Sequence, residues 1–157
     1  MFKPNSTVPA ALSSDSHPLR FVQAACDIVG FPWVDEASSP ESGLTGSFRL
    51  VHALSGRHPI IEICYDQQLH ELLLQATIGT LSFPSDHALL QLALKSQVLL
   101  MTSGMCLFIH PLENQLCLRQ QPLSMHQLDL AEAARHIARL ADTALAWHEQ
   151  MEKTYAY

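Results

Sequence analysis

Apolar side chains recur along this chain with two different periods. Between His17 and Gly30, Leu19, Val22, Cys26 and Val29 are spaced as on one face of a helix, and Gly30 followed by Phe31 and Pro32 supplies the stop. From Phe48 onward the period drops to two. Phe48, Leu50, His52 and Leu54 alternate with Arg49, Val51 and Ala53, and after a turn at Ser55, Gly56 and Arg57, Ile61, Ile63 and Tyr65 alternate with Glu62 and Cys64. Asp66, Gln67 and Gln68 turn the chain again into His70 to Leu81, where Leu72, Leu74, Ala76 and Ile78 lie opposite Leu73, Gln75 and Thr77. A meander of three antiparallel strands is predicted. A second hairpin joins Met105–His110 to Leu116–Gln120 across the polar stretch beginning at Pro111, and Pro122 ends its pairing. Ser124 with Gln127 reads as a capping box opening a last helix that runs to about Lys153. Leu130, Ala134, Ile137, Ala141, Ala144 and Met151 form its packing stripe, with Leu140 and Trp147 beside it. Asp129 and Glu132 near its start and Lys153 near its end suit the helix dipole.

The stretch from Ser85 to Met101 returns to helical spacing but has no clear polar face. Pro84 precedes it, Ser85 can cap it, Asp86 complements its positive end, and Gly104 terminates it. Ala88, Leu89, Leu92, Ala93, Leu99 and Leu100 cover one broad arc, while Leu90, Leu94, Val98 and Met101 form a second stripe. Only Gln91, Lys95, Ser96 and Gln97 interrupt the apolar surface. A helix that is apolar nearly all round is buried on two sides. At ~1.5 Å per residue it spans roughly 25 Å, short for a membrane crossing, and it carries Lys95 in its middle. The expectation is a sheet against one side and a second copy of the chain against the other, with Leu90, Leu94, Val98 and Met101 at the homodimer contact. Burial wholly within one chain is the competing reading.

This order of elements, helix, three strands, helix, two strands, helix, predicts an α+β fold built on an antiparallel twisted sheet packed by helices. One domain is expected over residues 17–153, preceded by a Ser- and Pro-rich tail over 1–16 and followed by a short tail over 154–157. Residues 35–46 read as a polar loop. Apolar residues make up 48% of the 157 and charged ones 15%, so the chain is globular and keeps more apolar surface than charge can screen. Nine Lys and Arg against fifteen Asp and Glu leave a net charge of −6 with no basic run. That argues against nucleic acid as the main partner and disfavours an anionic membrane surface. Cys26, Cys64, Cys106 and Cys117 show no paired spacing and read as buried, reduced thiols. With no apolar core of a secretory signal at the start, the expected location is the cytoplasm, and no membrane span is expected.

Candidate chemistry is sparse. Neither a phosphate-binding glycine loop nor a dinucleotide fingerprint is present, and His70-Glu71 lacks a second histidine at the spacing a zinc site needs, so no cofactor and no metal are expected. Cys64, Cys106 and Cys117 with His52 and His110 keep open a thiol enzyme or small ligand-binding domain, against the simpler reading of packed cysteines. Nine histidines are dispersed along the chain, and Trp33 and Trp147 could anchor an interface. One sheet face would carry Val51, Ile60, Cys64 and Leu73 mixed with Arg49, Glu62, Gln75 and Thr77. An extended peptide can add to such a sheet through its edge, with apolar side chains entering shallow pockets.

The element order, the doubly apolar central helix, and the segment from Met105 to Leu123 followed by a long helix containing Ala146 and Trp147 resemble the class I type III secretion chaperones over residues 17–153. The resemblance implies a small acidic homodimer in the bacterial cytoplasm. Such a protein is not an enzyme; it holds the N-terminal segment of a secreted effector in extended form and delivers it to the export apparatus, with the secretion ATPase as a further partner. It would place the dimer contact on the central helix with neighbouring strands and the client on the first helix and the sheet, which for this chain means Val22, Arg49, Val51, Ile60, Glu62, Leu73 and Gln75. An adaptor binding another component of the same apparatus is an alternative. The N-terminal extension and the moderate acidity, with a pI near 5.8, depart from the family.

Overall fold

The computed structural model describes residues 17–31, 47–54, 58–82 and 86–156. The expectations for the tails at 1–16 and Tyr157, the loop at 35–46, the turn at 55–57, Trp33, and the Pro84 and Ser85 cap fall outside these residues. Helix α1 is Pro18–Val29; strands β1 (Phe48–Ala53), β2 (Ile60–Asp66) and β3 (Glu71–Thr80) follow. Helix α2 (His87–Thr102) precedes β4 (Met105–His110), β5 (Gln115–Gln120) and the short β6 (Leu123–Ser124), and α3 (Leu130–Tyr155) closes the chain. Proline starts α1 because the first helical turn has no use for its missing N–H, and Gly30 ends it in the left-handed region at φ 81°.

All strand pairs are antiparallel, in the order β1-β2-β3-β5-β4 with β6 also on β3. The meander and the second hairpin are thus one sheet, joined where β5 lies along β3. Pro122 does interrupt pairing after β5, but pairing resumes at once: Leu123 and Ser124 meet Leu72 and Glu71. Leu72, Leu74, Ala76 and Ile78 all face inward from β3 and are fully buried. The inner stripe of α3 packs against them, and Phe21, Val22, Ala25 and Cys26 of α1, which lies on α3, complete the same core. The small side chains of Ala133, Ala134, Ala141 and Ala144 let α3 approach closely. At Gly79 that approach reaches the backbone, since a Cβ there would come within 3.2 Å of Met151 Cε. The strand register shifts between Thr77 and Gly79 at the same point.

The start of α3 differs from expectation. Ser124 is not the cap of α3: its backbone is taken by the sheet, and its carbonyl accepts the Gln127 N–H at 3.2 Å in a turn. The capping box is one motif further on, where Asp129 Oδ1 accepts the Glu132 N–H at 2.8 Å and Glu132 Oε2 accepts the Asp129 N–H at 3.4 Å. Two acids at a positive helix end outcompete Ser and Gln for that role. Asp86, at the start of α2, makes no side-chain cap. Its carboxylate is fully buried and accepts the Tyr155 hydroxyl, so α3 continues beyond Lys153 into the supposed C-terminal tail and pins the base of α2. Burial and the bond to Asp86 push the Tyr155 hydroxyl up to about 12. Tyr155→Phe strips a buried carboxylate of its donor, and a loss of roughly 1–3 kcal/mol is expected in urea unfolding. An unchanged midpoint would mean that the pair contributes nothing net.

Candidate protein-binding surfaces

Helix α2 is anchored to the rest of the chain by a narrow strip. Leu89 and Ala93 are buried; Leu90 and Leu100 are partly covered. Leu94, Val98, Leu99 and Met101 are 75, 70, 74 and 65% exposed. The described residues therefore do not bury α2 on both sides. The broad arc expected to face the sheet is also narrower than its composition suggested, since Leu99 and Leu92 lie outside it. The reason is position: α2 packs beside β4, the last strand of the sheet, and meets an edge rather than a face. Between α2 and β4 runs an apolar groove of about 380 Å³ lined by Leu90, Ala93, Leu94, Phe108 and Ile109. A contiguous apolar surface of this kind on a small domain marks a contact site.

The outer face of the sheet collects the expected client-contact residues. Register sets Arg49 opposite Cys64, Val51 opposite Glu62, Glu62 opposite Gln75, and Cys64 opposite Leu73, with Ile60 beside Thr77. Six of the seven candidates, Arg49, Val51, Ile60, Glu62, Leu73 and Gln75, share this face. Val22 does not: it is fully buried in the core, on the inner side of α1, and offers no surface. Arg49 grips Glu62 with two bonds of 2.8 and 3.1 Å, and Cys64 Sγ donates to Glu62 at 3.3 Å. Across the sheet Arg119 donates to Gln75 Oε1 at 2.8 and 3.1 Å, its guanidinium 4.7 Å from the centre of the Phe108 ring. Arg119 and Phe108 were not among the expected residues; only the β3–β5 register, which local patterns do not reveal, brings them here.

Strand β1 ends the sheet among the described residues. Leu54 donates to Pro59 O at 2.9 Å, so the even-numbered residues of β1 bond to β2 and the N–H of Val51 points away from it. A third surface was missed altogether. The end of α1 and the first half of α3 enclose an open apolar groove of about 730 Å³, lined by Ile28, Val29, Phe31, Leu54, Ala138 and Leu145 with Arg135 and Asp142 among the lining side chains. Its only sequence signal is Ile28, an isoleucine off the α1 packing stripe that is left exposed.

Between Cys64 and His52 the thiol-enzyme alternative finds no geometry. Cys64 lies on the outer sheet face whereas His52 pairs with Ile61 on the inner one, so the two are separated by the sheet. The Nδ1 of His110 accepts the Glu113 N–H at 3.3 Å in the hairpin turn. Burial, then Glu62, pushes the Cys64 thiol up to about 12; burial, then Asp27, does the same for Cys26; and burial raises Cys117. Such thiols are poor nucleophiles. Alkylation of Cys64 at pH 8 is expected to be far slower in the folded chain than after unfolding. Because the folded thiol ionises near 12 and the unfolded one near 9, its contribution to stability is present below pH 9 and is lost as pH rises toward 12. Fast labelling of native Cys64, followed by peptide mass spectrometry, would contradict this environment. The histidines are less scattered than the sequence suggests: His70 and His126 rings lie 4.2 Å apart, with Tyr65 Oη 2.7 Å from His70 Nδ1. Among the described residues no three His, Cys, Asp or Glu side chains are grouped to hold a metal ion, and no helix is long and apolar enough to cross a membrane.

No protein-family model and no curated protein matches the chain. Solved structures do. A chain of the HopA1–SchA chaperone–effector complex superposes with a TM-score of 0.55 at 16% identity, covering 82% of this chain and 90% of that one. A chain of the ExsC–ExsE complex superposes with a TM-score of 0.61 at 15% identity, covering 88% and 94%. The fold is that of the class I type III secretion chaperones, an α+β arrangement of three helices on one antiparallel sheet.

Proposed function

We propose that this chain is a cytoplasmic bacterial chaperone that acts as a homodimer, binds the N-terminal segment of a type III secreted effector as an extended chain and delivers it to the export apparatus, with the secretion ATPase as a further contact. It performs no catalysis. The observation that carries the reading is the coexistence, on a fold shared with a chaperone–effector complex, of an exposed apolar flank on α2 and a separate outer sheet face that ends, among the described residues, at β1. The first suits a second copy, through Leu90, Leu94, Val98 and Met101. The second suits a client strand crossing Arg49, Val51, Ile60, Glu62, Leu73 and Gln75. An extended client keeps its main-chain groups satisfied by adding to a sheet, and covering its apolar side chains offsets the cost of ordering it.

The test is capture of the tagged chain from its native cell, followed by limited proteolysis of whatever accompanies it. The reading expects a partner protected only in its N-terminal region, with the rest as accessible as in the free protein. A partner held through a folded domain would favour an adaptor of the same apparatus instead.

A further inference from the structure

A sheet with two ends has two edges, and among the described residues one of them, β4, is met by a side chain. On β4 the bond from Gln121 N–H to Gly104 O, at 2.6 Å, sets the even-numbered residues toward β5 and the odd-numbered ones, Met105, Leu107 and Ile109, away from it. At the middle of that outward row the Gln97 side chain makes both bonds a neighbouring strand would make. Its Oε1 accepts the Leu107 N–H at 2.9 Å and its Nε2 donates to Leu107 O at 3.0 Å. No other described side chain bonds a strand residue's N–H and C=O together in this way.

We infer that Gln97 is a specificity-determining residue that seals the β4 edge, so that among the described strands only β1 is left as a candidate acceptor edge. A primary amide is the side chain that carries both a donor and an acceptor in one plane, as a peptide group does. Placed from α2, it satisfies Leu107 locally, so neither a client strand nor the β4 of another molecule gains main-chain bonds there. Exposed edges with free N–H and C=O groups are templates for such pairing, and folds that persist as defined species cover or block them. The surrounding groove is apolar, with Leu90, Leu94 and Ile109 beside Gln97, so without the amide it would invite an apolar strand. For the client, the consequence is one strand per protomer; this half rests on the chaperone reading above, whereas edge sealing against other copies does not.

The experiment therefore uses the full chain without client. Gln97→Ala is expected to speed exchange of the Leu107 amide at least tenfold, and to drive the protein into species heavier than the wild-type assembly, read by light scattering across a concentration series. Adding Ile109→Pro to Gln97→Ala removes the next outward N–H without breaking a bond to β5, and is expected to restore the wild-type mass. Should Gln97→Ala not fold, Gln97→Glu keeps the acceptor for the Leu107 N–H and loses the donor to its carbonyl, and a partial shift to heavier species is expected. Faster Leu107 exchange with a mass unchanged from wild type, in whichever variant folds, would reduce Gln97 to a packing role and overturn the inference.

Discussion

Leu94→Glu is expected to leave the chain monomeric, at about 17.4 kDa in light scattering, with its far-ultraviolet circular dichroism retained. Leu94 belongs to the exposed flank of α2, which no described residue covers, so a carboxylate there is well solvated in the monomer. In the proposed dimer the same carboxylate is buried without a partner. Removing such a charge from water costs on the order of 3–5 kcal/mol, and a two-fold contact presents the substitution twice, so dissociation should be favoured by ~10⁴-fold or more. Val98→Glu should behave alike, being almost as exposed. An undiminished dimer in both variants would move the contact away from this flank. Unfolding of the monomer would be unexpected, since the inner strip of Leu89 and Ala93 is untouched.

Val51→Pro addresses the other surface. The Val51 N–H points away from β2, so proline there breaks no bond to that strand and is tolerated as edge prolines are. A client strand laid along β1 would lose one main-chain bond, leaving an acceptor buried and unpaired, and would meet the ring. One such loss is worth roughly 1–3 kcal/mol, or about a tenfold to hundredfold weaker client binding by calorimetry. The client's N-terminal segment, once recovered by capture, is the titrant. Equal affinities for variant and wild type would place the client off this edge. By contrast, disrupting the Arg49–Glu62 fork should matter little to stability, since it lies largely in solvent.

Much of this was legible because periodicity reports burial. Leu72, Leu74, Ala76 and Ile78 alternate and are buried together; Arg49, Val51, Glu62 and Gln75 occupy the opposite phase and share the outer face. The misreadings arise where local pattern underdetermines tertiary placement. Val22 lies on the single apolar stripe of α1, and that stripe is spent on the core, leaving Ile28 as the outward apolar side chain. Ser124 and Asp129 both begin acceptable capping motifs, and the choice depends on β6 pairing with β3, which no short window contains. Asp86 sits at the start of α2 as expected, but its partner Tyr155 is sixty-nine residues away and no local pattern reveals it. Gln97 read as one of four breaks in an apolar helix, and its bonds to Leu107 require knowing that α2 runs beside β4.

The measurement closest to the centre of this account is the mass of the untreated wild-type chain in solution, by size exclusion with light scattering at micromolar concentration. With Leu94, Val98, Leu99 and Met101 bare on a single copy, the account predicts twice 17.4 kDa. A clean monomer across the concentration series would contradict it.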